Sequence, residues 1–147
     1  MCCDLGYRAA GVLMMEDGAM ISGSCLCDGV RYQLTGESRP SVACHCGQCR
    51  KTSDHFWSAT QVATEHFTLA SDETLTWFAS SQPAKRGFCN RCGSSLFWMH
   101  TGDDGAVSVA TGTLDGPTGL HTEKHIFVKD KGDYCEIGDG PPQIQKY

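Results

Sequence analysis

The sequence predicts an all-β domain. Short segments in which apolar and polar residues alternate recur along the chain, and turn-forming Gly, Ser, Asp and Pro residues separate them. No stretch carries the 3.6-residue apolar period of a long amphipathic helix. Many short strands joined by frequent turns are typical of all-β domains, and 147 residues suit one such domain.

The strand predictions follow from local alternation. The clearest case is residues 30–34, where Val30, Tyr32 and Leu34 alternate with polar residues and so predict a strand with one buried face. The same reasoning, with β-prone composition, predicts strands at residues 30–34, 41–43, 56–62, 65–69, 74–78, 96–100, 107–110 and 126–128.

The segments between these strands predict the domain boundaries. Residues 51–55 are polar and turn-like, and residues 101–105 read as a hairpin turn. Residues 1–20 lack strand pattern and are expected to form a poorly ordered lead-in. The domain itself is expected at residues 21–135, followed by a C-terminal tail at residues 136–147.

Composition and charge exclude several classes of function. The formal charge of −5 gives no support to nucleic-acid binding. The chain shows neither a secretory signal nor an apolar run of membrane-spanning length. Ten cysteines are above ordinary usage. We therefore expect a cytoplasmic setting, away from membranes, in which clustered thiols bind metal rather than form disulfides.

The densest cysteine cluster predicts a metal site. Cys44, Cys46 and Cys49 lie within six residues and have the spacing C-x-C-x-x-C around Gly47 and Gln48. A C-x-x-C turn lets two sulfur atoms approach one ion, and the C-x-C sulfur joins from the adjoining strand end. Packing in a core strand does not require three thiols around such a turn.

Seven clustered cysteines are most simply divided into four and three. Cys25 with Cys27 and Cys89 with Cys92 would close one tetrahedral zinc site. The remaining three thiols would leave a fourth position open, as catalytic zinc sites do. Spacing alone leaves two alternatives: a zinc ribbon in which Cys46 and Cys49 join Cys89 and Cys92, and His45 as a fourth ligand.

Two other cysteine chemistries fit less well. The spacing matches neither ferredoxin run of iron–sulfur ligands. A thioredoxin-type redox pair is disfavoured because no βαβ pattern surrounds either C-x-x-C motif.

Cys135 is isolated and is expected to be structural. The histidines outside the clusters show no metal spacing, and the three tryptophans are expected in the core.

The motifs together resemble the glutathione-dependent formaldehyde-activating enzyme family, which includes centromere protein V. The resemblance runs in order over residues 21–134 and rests on matching blocks at residues 23–27, 44–50, 80–81, 86–96 and 112–115. It implies an Mss4-like zinc-stabilised β-fold of short antiparallel strands. Family members often carry Gly soon after the Cys-Arg pair, where this chain has Ser53 and Asp54.

The resemblance also implies ligand roles and substrates. It assigns two zinc ions to each chain. A structural zinc would lie on Cys25, Cys27, Cys89 and Cys92, and an exchangeable catalytic zinc on Cys44, Cys46 and Cys49. The implied partners are glutathione and formaldehyde, which would combine to S-(hydroxymethyl)glutathione.

The chemistry of an open three-thiolate zinc agrees with a thiol substrate. Such a centre carries a net charge of about −1, so it generates hydroxide poorly and accepts a soft fourth ligand instead. Coordination deprotonates that thiol, whose sulfur then attacks a carbonyl carbon. Arg50, Lys51, Arg86 and Arg91 lie within three residues of a cluster cysteine. They either offset thiolate charge or bind carboxylates of a glutathione-like ligand.

Two functions of different classes are therefore expected. The first is a zinc-dependent carbon–sulfur lyase that joins or splits a glutathione-type thiol and a small carbonyl, with another thiol adduct as a variant substrate. The second is a zinc-stabilised binding module without catalysis. Metal stoichiometry separates them, since one tight and one exchangeable zinc favours the enzyme.

Overall fold

The described part of the protein is built of ten short strands. The computed structural model describes residues 20–102 and 104–147. The strands are β1 (Ile21–Ser24), β2 (Val30–Leu34), β3 (Ser41–Cys44), β4 (Trp57–Ala63), β5 (Phe67–Asp72), β6 (Leu75–Ser81), β7 (Ala84–Cys89), β8 (Ser95–His100), β9 (Ala106–Ala110) and β10 (Thr122–Ile126), with one short helix, α1 (Gly47–Ser53). The predicted all-β class is confirmed.

The strands form two sheets. The smaller sheet has the order β1-β2-β5, and the larger has the order β10-β3-β4-β9-β8-β7-β6. Neighbouring strands are antiparallel, as expected, except that β10 pairs with β3 in parallel. This exception follows from the long connection after β9, which lets β10 reach the far edge beside β3.

The larger sheet has two buried faces, and strand alternation decides what each face carries. On β4, Val62 enters the main core, whereas Trp57 and Ala59 enter a second cluster on the other face. On β8, Phe97 belongs to the main core and Trp98 packs against the second cluster. Because successive side chains point to opposite faces, one sheet supports both the core and a separate site.

The main core joins the two sheets through aromatic rings. Tyr32 of β2 meets Phe97 of β8 edge to face at 5.1 Å between centroids, and Phe67 of β5 does the same at 5.0 Å. Such pairs add about 0.5–1.5 kcal/mol each beyond their buried area. Gly87 permits this packing, since a Cβ atom there would lie 2.9 Å from the Phe97 ring.

A turn prediction and a strand prediction need correction. Residues 51–55 were expected to form a turn, but residues 51–53 are the second half of α1. The last strand was expected at residues 126–128, but β10 ends at Ile126 and Val128 begins a 3-10 turn. The turn follows because Phe127 adopts a left-handed backbone with φ of 54°, which ends an extended strand.

The helix lacks the usual sequence signals of a helix. Its N-cap is Cys46, whose sulfur accepts a hydrogen bond from the Cys49 amide at 3.5 Å. Ser, Thr, Asp or Asn would be the usual residue there. With seven residues and only Cys49 buried, α1 shows no apolar period.

Within the described residues, no helix has the length and apolarity that a membrane span requires.

The tail extends the larger sheet at its β10 edge. The Ile144 amide donates to the His125 carbonyl at 2.8 Å, and the Val128 amide donates to the Ile144 carbonyl at 3.1 Å. A parallel bridge also joins His125 to Gln143. The tail therefore covers an edge whose backbone groups would otherwise lie unpaired.

Deletion of residues 1–19 is expected to leave the fold and the zinc content intact. The predicted lead-in, apart from Met20, lies outside the described residues, and its sequence carries neither strand alternation nor metal spacing. Thermal unfolding and zinc analysis of the shortened chain check this. A large fall in melting temperature would show that the segment belongs to the folded domain.

Candidate metal centres

Four thiols meet beside the main core. Cys25 and Cys27 lie on the loop between β1 and β2, while Cys89 ends β7 and Cys92 lies on the following turn. Their sulfur atoms all lie within 4.8 Å of one another. Gly93, with φ of 80°, adopts the left-handed conformation that reverses the chain after Cys92. The two distant cysteine pairs thus form one cluster.

The dimensions of this four-thiol cluster suit zinc. The Cys27 sulfur lies 3.7 Å from the Cys25 sulfur and 3.6 Å from the Cys89 sulfur. A tetrahedral zinc with Zn–S bonds of about 2.3 Å separates its sulfur ligands by about 3.8 Å. Backbone amides of Val30 and Cys92 point at the Cys25 and Cys89 sulfurs, at 3.3 and 3.4 Å. These donors stabilise thiolate charge.

Three further thiols form a separate cluster at the start of α1. Cys44 is the last residue of β3, Cys46 is the helix N-cap and Cys49 lies in the first turn. Their sulfur atoms lie within 4.8 Å of one another. Among the described residues, no fourth His, Cys, Asp or Glu ligand atom joins this group. The three-thiol cluster is therefore open where the four-thiol cluster is closed.

Hydrogen bonds among the three sulfur atoms distribute charge within the open cluster. Hydrogen bonds from the thiols of Cys44 and Cys49 lower the pKa of Cys46 to about 2, and the hydrogen bond to Cys46 raises the pKa of Cys44. The Arg86 guanidinium lies near this charge, with Nη2 at 3.5 Å from the Cys49 sulfur. The cluster is thus prepared to hold a cation through soft anionic donors.

A cavity of about 430 Å³ opens onto the three thiols. Its volume is in the range of small-molecule sites. The aromatic part of its wall consists of Trp57, Trp98, Phe127 and Tyr147. The three cluster cysteines line it, and none of the four cysteines of the closed cluster does. The open cluster therefore faces, with all three of its thiols, a space that a small-molecule ligand can enter.

Arg86 brings unused donors to this cavity. Its side chain is 6% exposed and reaches Gln48 and Cys49 through Nη2. Its Nε and Nη1 atoms are buried without a hydrogen-bond partner. The indole nitrogen of Trp57 is also buried and unpartnered. Because unpaired buried donors are costly, a hydrogen-bond acceptor bound next to Arg86 and Trp57 would be stabilised by these atoms.

The structure places the other predicted basic residues away from the cavity wall. Lys51 and Arg91 are exposed, and Arg50 is half-buried with its Nε atom unpartnered. Sequence reasoning missed Arg39, which lines the cavity and donates to the Pro40 and Ala59 carbonyls. The three tryptophans belong to or pack against the two core clusters, as predicted, and Trp57 and Trp98 also line the cavity.

His45 points away from the thiols, into a hydrogen-bonded chain of side chains. Its Nε2 atom lies 2.9 Å from Nδ1 of His125, whose Nε2 lies 3.0 Å from the Asp139 carboxylate. Burial lowers the pKa of His45, so its imidazole is neutral at neutral pH. This orientation does not match the alternative in which His45 is a fourth ligand. The hydrogen bonds of His45 instead anchor the Cys44–Cys46 loop to β10 and the tail.

Comparison with known proteins finds similar sequences along most of this chain. Residues 20–130 match the sequence model of the glutathione-dependent formaldehyde-activating enzyme family. An uncharacterized lyase of Schizosaccharomyces pombe is 25% identical over 117 residues, which are 80% of this chain and 85% of that protein. A protein of Halomonas elongata, provisionally named a glutathione-dependent formaldehyde-activating enzyme, is 27% identical over 127 residues, covering 80% and 81%.

A solved structure supports the fold. The crystal structure of a Rhodobacter sphaeroides protein superposes with a TM-score of 0.56 at 21% identity, covering 66% of this chain and 90% of that one. The family match spans both cysteine clusters and most of the cavity wall. The chain therefore belongs to the glutathione-dependent formaldehyde-activating enzyme family.

Proposed function

We propose that this protein is a zinc-dependent carbon–sulfur lyase whose substrates are a glutathione-type thiol and a small carbonyl compound. One observation carries the proposal: three thiols without a fourth ligand atom among the described residues form part of the wall of a cavity. A purely structural metal site has no need of an open position facing a cavity. The matching relatives named as a lyase and as a formaldehyde-activating enzyme favour the same chemistry.

The donor sets fit two zinc ions with different roles. Cys25, Cys27, Cys89 and Cys92 would hold a structural ion, for which their sulfur spacings are suitable. Cys44, Cys46 and Cys49 would hold the exchangeable ion, since three thiolates are soft donors that zinc accepts. When bound there, zinc supplies an open position at which a substrate thiol is stabilised as thiolate.

The surrounding residues prepare the reaction. The Arg86 guanidinium offsets negative charge beside Cys49 and offers Nε and Nη1 to a carboxylate of the thiol substrate. The Trp57 and Trp98 rings border the thiols and limit access of water. The other predicted basic residues lie outside the cavity wall. They remain predicted contacts for those carboxylates of the thiol substrate that extend beyond the cavity: Arg50, Lys51 and Arg91.

The proposed reaction is a redox-neutral addition. The thiol sulfur forms a bond to the carbonyl carbon, and the thiol proton passes to the carbonyl oxygen. With glutathione and formaldehyde, as the family description suggests, the product is S-(hydroxymethyl)glutathione. The reverse reaction breaks the same carbon–sulfur bond and returns both substrates.

Exchange of labelled formaldehyde tests this proposal. Nuclear magnetic resonance follows the interconversion of formaldehyde hydrate and S-(hydroxymethyl)glutathione at equilibrium, with and without the zinc-loaded protein. We expect the protein to accelerate exchange, and we expect Cys46→Ser to leave only the uncatalysed rate. If the parent protein leaves the exchange rate unchanged, the binding-module interpretation takes precedence for these substrates.

Replacement of Arg86 by Gln is expected to weaken glutathione binding at least tenfold while both zinc ions remain bound. The physical reason is the loss of a charge-assisted contact of about 1.5–3 kcal/mol. Calorimetry and zinc analysis of Arg86→Gln measure the two effects, and Arg31→Gln, at an exposed position of β2 outside the cavity wall, is the matched control. If Arg86→Gln loses the second zinc, Arg86 serves charge balance instead of ligand binding.

A further inference from the structure

We infer that the preferred electrophile is an aldehyde with an apolar side group about as large as a phenyl ring. This inference rests on the proposed function and names its second substrate more narrowly. Formaldehyde adds only one carbon and one oxygen to the thiol. The structure contains a larger apolar surface beside the thiols than that small group covers.

The apolar wall begins at the three thiols. Cys49, Trp57, Ala59 and Ala110 form one buried cluster, against which Cys44, Cys46 and Trp98 pack. A carbon atom bonded to a sulfur held at this centre therefore lies beside Trp57 and Trp98. Any group that this carbon carries is directed along the apolar wall, where burial of its surface adds affinity.

The rest of the cavity wall offers different surfaces to the glutathione part and the aldehyde part of such an adduct. Val42, Ile126, Phe127 and Tyr147 extend the apolar surface along β3, β10 and the tail. The charged residues of the wall are Arg39 and Arg86, and none of its residues is acidic. Glutathione is polar and carries two carboxylates, so it matches the arginines. It has no group that matches the aromatic surface, which the aldehyde side group would cover.

The tail contributes to this surface from outside the family match. Tyr147 lies 17 residues beyond residue 130, where that match ends. Its ring is positioned by Lys124, whose Nζ atom lies 3.2 Å from the Tyr147 hydroxyl and 4.8 Å from the ring centroid. The side chain is 73% exposed. Substitution of Tyr147 therefore changes the cavity wall without disturbing the core.

The step balances as an addition without oxidation. The thiol sulfur forms a bond to the aldehyde carbon, the carbonyl oxygen takes the thiol proton, and a hemithioacetal with the apolar side group results. In the reverse direction, the carbon–sulfur bond breaks and the free thiol and aldehyde are released. No further reactant is needed.

Stable thioethers provide the test, since they place a chosen group on the sulfur without a reaction. Calorimetry on the zinc-loaded protein compares S-benzylglutathione with S-methylglutathione. We expect at least tenfold tighter binding of the benzyl compound, because burial of about 60 Å² of apolar surface corresponds to tenfold. We expect the preference to fall below threefold in a Trp98→Leu, Tyr147→Ala double variant. Tyr134→Ala, which changes an exposed tyrosine outside the cavity wall, keeps it.

The outcomes separate this inference from the proposed function. Equal affinity for both thioethers, while glutathione still binds, overturns the inference and leaves the proposed function in place. A benzyl preference that survives in the double variant also overturns it, because the group then binds elsewhere. If neither glutathione nor the thioethers bind, both the proposed function and the inference are wrong.

Discussion

Replacement of Cys89 by Ser is expected to give insoluble or zinc-depleted protein. Cys89 is fully buried, and its sulfur lies 3.6 Å from the Cys27 sulfur and 3.1 Å from the Thr74 hydroxyl. The closed four-thiol cluster joins the β1–β2 loop to the end of β7. The free energy of zinc binding there therefore adds directly to the stability of the fold. A structural zinc contributes on the order of 10 kcal/mol, which exceeds the net stability of many domains.

Cys135→Ser is the matched control for this prediction. Cys135 is buried, but its sulfur lies near His55 and belongs to neither cluster. We expect this variant to stay soluble with unchanged zinc content. Solubility, melting temperature and zinc content of the two variants decide the matter. A soluble Cys89→Ser protein with the zinc content and melting temperature of the parent would remove Cys89 from a structural site.

Replacement of Cys46 by Ser is expected to abolish function while the fold persists. Cys46 belongs to both the C-x-C and the C-x-x-C spacing, so its loss leaves two thiolates, which hold an exchangeable zinc poorly. Serine is itself a favoured N-cap, so α1 keeps its first hydrogen bond. We expect about one zinc per chain, a melting temperature close to that of the parent, and no thiol binding at the metal.

A comparison of Cys46→Ser with Cys46→Ala separates the metal from the helix. Both variants lose the ligand, but only alanine also loses the cap, which costs about 1 kcal/mol. Thermal unfolding is expected to place Cys46→Ala below Cys46→Ser, with equal zinc content. If Cys46→Ser retains two tightly bound zinc ions, the assignment of the open site to these three thiols is wrong.

The sequence predicted those features that depend on neighbouring residues. The alternation in β2 is visible within five residues, and the predicted and observed bounds of this strand agree. The grouping of the cysteines was likewise accessible, because C-x-C and C-x-x-C spacings restrict how thiols can converge. The four-and-three division of the thiols matches the two groups in the structure.

Features that depend on distant contacts were missed. The parallel pairing of β10 with β3 joins residues about 80 positions apart. No local sequence pattern predicts such a pairing. Phe127 and Tyr147 reach the cavity through that pairing and the tail, whereas Arg39 lies beside β4, where its Nη2 atom donates to the Ala59 carbonyl. One signal was available but unused: alternation along β4 puts Trp57, Ala59 and Gln61 on one face, and all three line the cavity.

The absorption spectrum of the cobalt-substituted protein tests the central claim most directly. Cobalt in place of zinc gives thiolate-to-metal bands that report each sulfur ligand, so a thiol that joins the open centre changes them. We predict that added glutathione perturbs the spectrum of the parent protein and leaves that of Cys46→Ser unaltered. A parent spectrum that does not respond to glutathione would contradict thiol binding at the three-cysteine centre.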